Sequence, residues 1–182
     1  MAILNNSAEQ VKLVPRGTWE VDPARSTAGF TVRHLKVAKV RGRFGEITGV
    51  IRCDEEGVTS INGKVEVASI DTGDDRRDAR LRAEDFFDAE HHPTITFTAI
   101  GSTDISVVRG IMTIRGVSRP LQLNAARQGN GGDLRIRANG AVSCRAFRLT
   151  WDSAFAAGGL VIDDRVGLEL DAVLQPELLT RD

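Results

Sequence analysis

Water-avoiding and polar residues take turns along much of this chain. Residues 27–34 read Thr-Ala-Gly-Phe-Thr-Val-Arg-His, which puts Ala28, Phe30, Val32 and His34 on one face. Residues 134–142 gather Leu134, Ile136, Ala138, Gly140 and Val142 on one side, with Arg135, Arg137 and Asn139 on the other. The same alternation recurs in Ile47-Gly49-Ile51-Cys53, Ile61-Gly63-Val65-Val67, Gly110-Met112-Ile114 and Val166-Leu168-Leu170-Ala172-Leu174. A period of two is the signature of half-buried strands. It predicts strands near 17–22, 27–34, 38–53, 60–70, 94–101, 107–115, 119–127, 133–143 and 165–175. Phe44 and Ile47 both read as core-facing although three apart, which predicts a bulge near Gly45-Glu46 that bends the third strand.

Glycine and alanine occupy many inward positions. Small residues on a buried face leave volume unfilled unless a helix or a ligand fills it. Short connections between strands, such as Asp54-Glu55-Glu56-Gly57 and Gly101-Ser102-Thr103-Asp104, imply antiparallel neighbours. The expected fold is therefore mainly β: an extended antiparallel barrel of about eight strands wrapped around a space.

Two stretches break the alternation. Residues 71–92 predict a short helix capped by Asp71 or Thr72, then an aromatic turn at Phe86-Phe87. Its charges, Asp74 to Glu84, read as a solvated face, or alternatively as Arg77 and Asp78 clamping a loop at a barrel mouth. Residues 144–164 mix Phe147, Trp151 and Phe155 with glycines and fit neither period. Both stretches are natural lids or plugs. Residues 17–176 form the expected domain, with 1–16 and 177–182 as flexible tails.

The 182 residues carry a formal net charge of −1, and no global field pulls the protein onto nucleic acid. Arg makes up all but four (Lys12, Lys36, Lys39 and Lys64) of the 24 basic residues. Acidic residues alternate with them through most of the chain, which argues against a concentrated basic patch. The N-terminus lacks a basic start, an apolar run and a small-residue cleavage site, so a cytoplasmic location is expected. The longest near-apolar run, Ala154–Ile162, is too short to span a bilayer, and no stable membrane insertion is expected. Cys53 and Cys144 fall on apolar parity and read as reduced buried thiols, although a disulfide between them stays open.

No catalytic signature is present: no nucleophile elbow, no dinucleotide or phosphate loop, no His-Glu-x-x-His. Neither cysteine stands at ligand spacing from His91 and His92, so no metal site is expected. His34 has two readings. It is a strand-end histidine bonded to a neighbour, or a polar group at a cavity mouth that meets a ligand head group.

One ordered set of segments is more specific than any of these. Arg77-Asp78-Ala79-Arg80-Leu81, Asp85-Phe86-Phe87-Asp88, His92-Pro93 and Thr96-Phe97 closely resemble the YceI-like family of lipocalin-like polyisoprenoid-binding barrels. Trp19-Glu20-Val21-Asp22, Val32-Arg33-His34-Leu35, Gly42-x-Phe44, Ile70-Asp71-Thr72 and Ile114-Arg115-Gly116-Val117-Ser118-Arg119-Pro120 agree in the same order. Four blocks depart from the family pattern, one of them Asp163-Asp164 in place of a Gly-Asp turn. Arg25-Ser26 stands for a His-Ser pair, Arg80 for a histidine before Leu81, and Arg145-Ala146-Phe147-Arg148 for an Arg-x-Asp-Phe-Gly type motif.

The resemblance implies a non-catalytic protein that carries or sequesters an isoprenoid-type lipid, such as a prenyl phosphate or prenyl quinone, with no other cofactor. The implied channel wall is Phe30, Val32, Phe44, Ile51, Val65, Val67, Phe97, Met112, Ile114, Leu121, Leu123, Ile136, Leu168 and Leu170. Phe86, Phe87, Phe147 and Trp151 would close an end. Arg25, Arg80 and His34 are the head-group candidates. The two arginines favour a phosphate over a quinone unless they simply pair with surface carboxylates. Two rival functions remain open: an enzyme acting on an apolar small molecule, and an empty barrel, holding no ligand, that serves as a dimeric interaction module (a homodimer).

Overall fold

A computed structural model describes residues 14–34, 38–102, 106–128, 134–150 and 162–177. Eleven strands are present among the described residues: β1 (Gly17–Val21), β2 (Thr27–His34), β3 (Ala38–Phe44), β4 (Ile47–Cys53), β5 (Val58–Glu66), β6 (Ile70–Asp71), β7 (Thr94–Ser102), β8 (Val107–Ile114), β9 (Val117–Gln128), β10 (Leu134–Ser143) and β11 (Ile162–Pro176). One helix, α1 (Asp75–Arg82), lies between β6 and β7.

Each strand pairs antiparallel with its neighbours in the order β1-β4-β5-β7-β8-β9-β10-β11, and β11 returns to β1. That cycle is a closed eight-stranded barrel. β11 makes closure possible by its length. One edge pairs with β10 from Arg165 to Leu174, while the other pairs with β2 and then with β1. β2 and β3 thereby continue the walls that β1 and β4 begin. Between β8 and β9, Arg115 and Gly116 turn the chain with φ of 48° and 72°, the two positive values that a two-residue hairpin needs.

Three sequence expectations change in detail. Residues 38–53 do bend at Gly45-Glu46, but the break is complete rather than a bulge. The Gly45 N–H donates to the Ser69 carbonyl at 3.1 Å and the Glu46 N–H to Ser69 Oγ at 3.0 Å, so the chain leaves one ladder and joins another. The α1 cap is Asp74, whose carboxylate accepts from the N–H groups of Arg76 and Arg77, not Asp71 or Thr72. Gly73, at φ 77°, turns the chain before the helix, and Asp71 is already taken by the Gly73 N–H and Arg43. Val14 and Arg16, placed by sequence in the N-terminal tail, take part in the fold. Val14 is buried in the core, and Arg16 pairs with Glu55 at 2.7 Å.

The core divides into two clusters along the barrel. One, at the helix end, joins Val32, Val67, Ile70, Leu81, Phe86, Ile95, Ile114 and Phe147. The other joins Val14, Cys53, Val58, Ala99, Val108, Leu134 and Leu174. Cys144 belongs to the first and Cys53 to the second, and both are free thiols, so no disulfide links them. Burial, followed by the charge of Asp54, pushes the Cys53 thiol up.

Candidate lipid-binding lumen

The inward parity of each strand faces a cavity of about 240 Å³. Engineered apolar cavities of roughly 150 Å³ stay dry and take up benzene. Of the seventeen predicted wall and end residues that the structure describes, fifteen line this space. Phe30, Val32, Phe44, Ile51 and Val65 come from β2 to β5, and Phe97, Met112, Ile114, Leu121 and Leu123 from β7 to β9. Ile136, Leu168 and Leu170 complete the ring from β10 and β11, with Phe86 and Phe87 at the helix end. Most of these side chains are only half-buried although they point inward. Inward apolar atoms left uncovered mean a hollow barrel, not a solidly packed one.

Phe30, Phe44, Phe87 and Phe86 form a chain of rings with successive centroids 5.7, 6.3 and 4.8 Å apart. The helix beneath them is held by its own first turn. Buried Asp78 accepts from the Thr72 N–H at 3.1 Å and from the Thr72 hydroxyl at 2.5 Å. Arg77 donates to the Thr72 hydroxyl and carbonyl at 2.8 and 2.9 Å. The clamp reading of Arg77 and Asp78 is therefore the one the geometry supports. It fixes the segment that delivers Leu81, Phe86 and Phe87 to the cavity.

Glycines shape the lumen from within. A Cβ on Gly42 would clash with the Phe30 ring, most closely at Cζ, and one on Gly110 would clash with the Phe97 ring and the Thr98 carbonyl. The absence of a side chain at those glycines leaves room for the two rings. Gly49 and Gly63 face each other across β4 and β5, and a Cβ on Gly63 would meet only the Thr48 carbonyl, at 3.9 Å. That position opens onto space.

One predicted wall residue and one predicted end residue lie elsewhere. Val67 sits in the 3-10 turn Val67–Ser69 and Phe147 in the turn Arg145–Phe147; each is fully buried in the end cluster and neither borders the cavity. Both turns interrupt the alternation, so parity counted along the chain fails there. Trp151 and the side chain of His34 lie outside the described residues. Sequence reasoning missed Ile47, Ile61, Ile70, Leu81, Ile95 and Leu149, which also line the cavity. The first two share the parity of residues already chosen and could have been found; Leu149 lies in an irregular stretch with no periodic signal.

The head-group candidates do not converge. Arg25 lies in the turn between β1 and β2 and donates from Nε to Asp22 at 2.6 Å, which holds the Asp22 carboxyl below its usual range. Ser26, beside it, bonds to Val173 near the second core cluster, whereas Arg80 is on α1 at the opposite end. The polar residues bordering the cavity, Thr48, Asn62, Lys64, Thr96 and Glu169, stand on the outward parity of their strands. Among the described residues no cluster of His, Cys, Asp or Glu could hold a metal ion.

The family model described as the YceI-like domain matches residues 19–174. The chain belongs to the YceI-like family. A UPF0312 protein of Photorhabdus laumondii is 34% identical over 113 residues, a match spanning 58% of this chain and 57% of that relative's length. One from Staphylococcus aureus is 26% identical over 83% of this chain and 93% of its own. Among solved structures, Burkholderia cenocepacia BcnA superposes with a TM-score of 0.72 at 21% identity, over 84% of this chain and 98% of that one. A polyisoprenoid-binding domain from Saccharophagus degradans gives 0.69 at 18% identity, over 87% and 98%. At such identities the likeness establishes the YceI-like barrel itself.

Proposed function

We propose that this YceI-like barrel binds a long isoprenoid-type lipid in its lumen and carries or sequesters it without chemical change. The observation that carries the reading is the hollow interior, walled by half-covered apolar side chains. Each methylene moved from water into such a wall contributes about 0.8 kcal/mol, so a five-carbon unit gains roughly 4 kcal/mol before ordering costs. Alkyl contacts carry no direction, so the lumen selects by girth and length. The polyisoprenoid-binding function named for the Saccharophagus degradans domain supports a guest of this class, such as a prenyl phosphate or a prenyl quinone.

A carrier needs no acid–base pair inside, and the described lining offers apolar walls instead. The outside of the barrel is polar, with Arg135, Arg137, Asn139 and Glu169 exposed, the reverse of a membrane-spanning barrel. No helix among the described residues is long and apolar enough to cross a membrane. The direct test is organic-solvent extraction of the purified protein, with mass spectrometry of the extract and native mass spectrometry of the intact protein. A prenyl-chain lipid in near-stoichiometric amount is expected. No extractable lipid, together with no saturable uptake of prenyl phosphates or quinones by the emptied protein, would overturn the reading.

A further inference from the structure

The charge on the outer face of β2 and β3 is not absorbed by the lumen or by the fold. Between Asp22 and Glu46 the chain has six Lys or Arg residues and no acidic one. Pairing of β2 with β3 turns part of that run into a surface. Val32 meets Val40, Phe30 meets Gly42 and Ala28 meets Phe44 on the inward side. On the outward side Arg33 lies directly opposite Lys39, and Arg41 and Arg43 follow along β3. All four are exposed. Arg165, also exposed, stands on β11 beside Val166, the partner of Val32. The expectation of no concentrated basic patch thus fails, because strand pairing stacks cations that lie apart in the sequence.

Arg43 is paired with Asp71 at 3.0 Å. Among the described residues, Arg33, Lys39, Arg41 and Arg165 have no carboxylate within ion-pair distance. Of the acidic side chains of β11, Glu169 and Asp171 stand opposite Gly29 and Thr27, at the far end of the same face. Asp163 and Asp164 precede Arg165, Asp163 accepting from the Arg165 N–H and Asp164 from the Ser143 hydroxyl and the Arg145 N–H. Like charges directly across a ladder destabilise a sheet, so the fold gains nothing from Arg33 facing Lys39. Protection of a sheet edge accounts for part of the pattern. β3 is paired on its outer side only at Arg43 and Phe44, and its edge along residues 38–42 has no ladder partner among the described residues. Edge protection explains Lys39 and Arg41 but not Arg33, which belongs to a strand paired on both sides.

We propose that this face, built from Arg33, Lys39, Arg41 and Arg165, docks the protein onto anionic phospholipid membrane. The purpose rests on the lipid-carrier reading, because a guest too apolar for water must be collected from and returned to a bilayer. The inward residues of β2 and β3, Phe30, Val32 and Phe44, line the lumen directly behind the patch. Docking therefore presses the unsealed β3 edge of the container against the source of its cargo. A net charge of −1 gives the molecule no overall attraction to a polyanion, so binding to one has to come from a local face.

The test is co-sedimentation with isoprenoid-free vesicles, either pure phosphatidylcholine or phosphatidylcholine with about a third phosphatidylglycerol. Isoprenoid-free vesicles separate the two proposals, since docking is read without any cargo and cargo by extraction without any membrane. Wild type should partition onto the anionic vesicles, and should be released as salt rises to about 0.5 M. Each cation near such a surface is worth about fivefold in partitioning, so R33Q/K39Q/R41Q should bind roughly a hundredfold more weakly. The variant R16Q/R109Q/R119Q removes the same charge from other exposed positions and should keep most of the binding. Circular dichroism checks that both remain folded; if the first set does not, R33Q alone, outside the exposed edge, should still cost about fivefold. Equal partitioning onto neutral vesicles, equal losses in both sets, or retention on heparin without vesicle binding would each overturn the proposal.

Discussion

At the scale of single residues, the departures from the family pattern have local physical consequences. Where the Arg-x-Asp-Phe-Gly type motif would place glycine, Arg148 closes the turn after Phe147 with φ of 59°. A left-handed conformation strains any side chain with a Cβ, at about 1 kcal/mol, and glycine escapes that strain. Arg148→Gly should therefore raise stability by up to about 1 kcal/mol, visible as a higher denaturant midpoint with unchanged slope. A lower midpoint would show that the guanidinium makes contacts worth more than the strain. The turn is also held by Asp164, which accepts from the Ser143 hydroxyl at 2.5 Å and the Arg145 N–H at 2.8 Å. Asp164 thus anchors the start of β11 to the end of β10.

At the scale of elements, the strands were legible because their two faces differ so strongly. Segments such as 134–142 kept their alternation in the structure, with Leu134, Ile136 and Ala138 buried and Arg135, Arg137 and Asn139 exposed. What could not be read was anything set by partners far away in sequence: the break at Gly45, which depends on Ser69, and the cap at Asp74, which depends on the Gly73 turn. The inward glycines illustrate the same divide. Their parity was plain, but only the ladder shows that Gly110 and Gly63 behave differently. Gly63→Leu should project into open space, keep the fold, and weaken uptake of a prenyl guest by about tenfold, equivalent to roughly two lost methylene contacts. Gly110→Ala should instead cost about 1–3 kcal/mol of stability, because the Thr98 carbonyl cannot move aside as a side chain can. Thermal melts paired with titration of a fluorescent prenyl probe separate the two effects; similar behaviour of both variants would contradict this account of the lumen.

At the scale of the whole molecule, an unfilled interior is a deficit of packing that a guest can make good. Extracting the lipid should lower stability, and adding back a prenyl guest at about a hundred times its dissociation constant should restore roughly 2.7 kcal/mol. A melting temperature indifferent to extraction and refilling would mean that the guest does not sit inside. The barrel's manner of closure has its own consequence. β11 forms ladders with β10, β2 and β1 together, and it is synthesised after the other ten strands. Until residue 176 has emerged, the nascent sheet is an open trough with two raw margins and its greasy side turned to water. Birth, for this barrel, is the moment of greatest exposure, when sticking to a neighbour competes with the final stitch of its own wall.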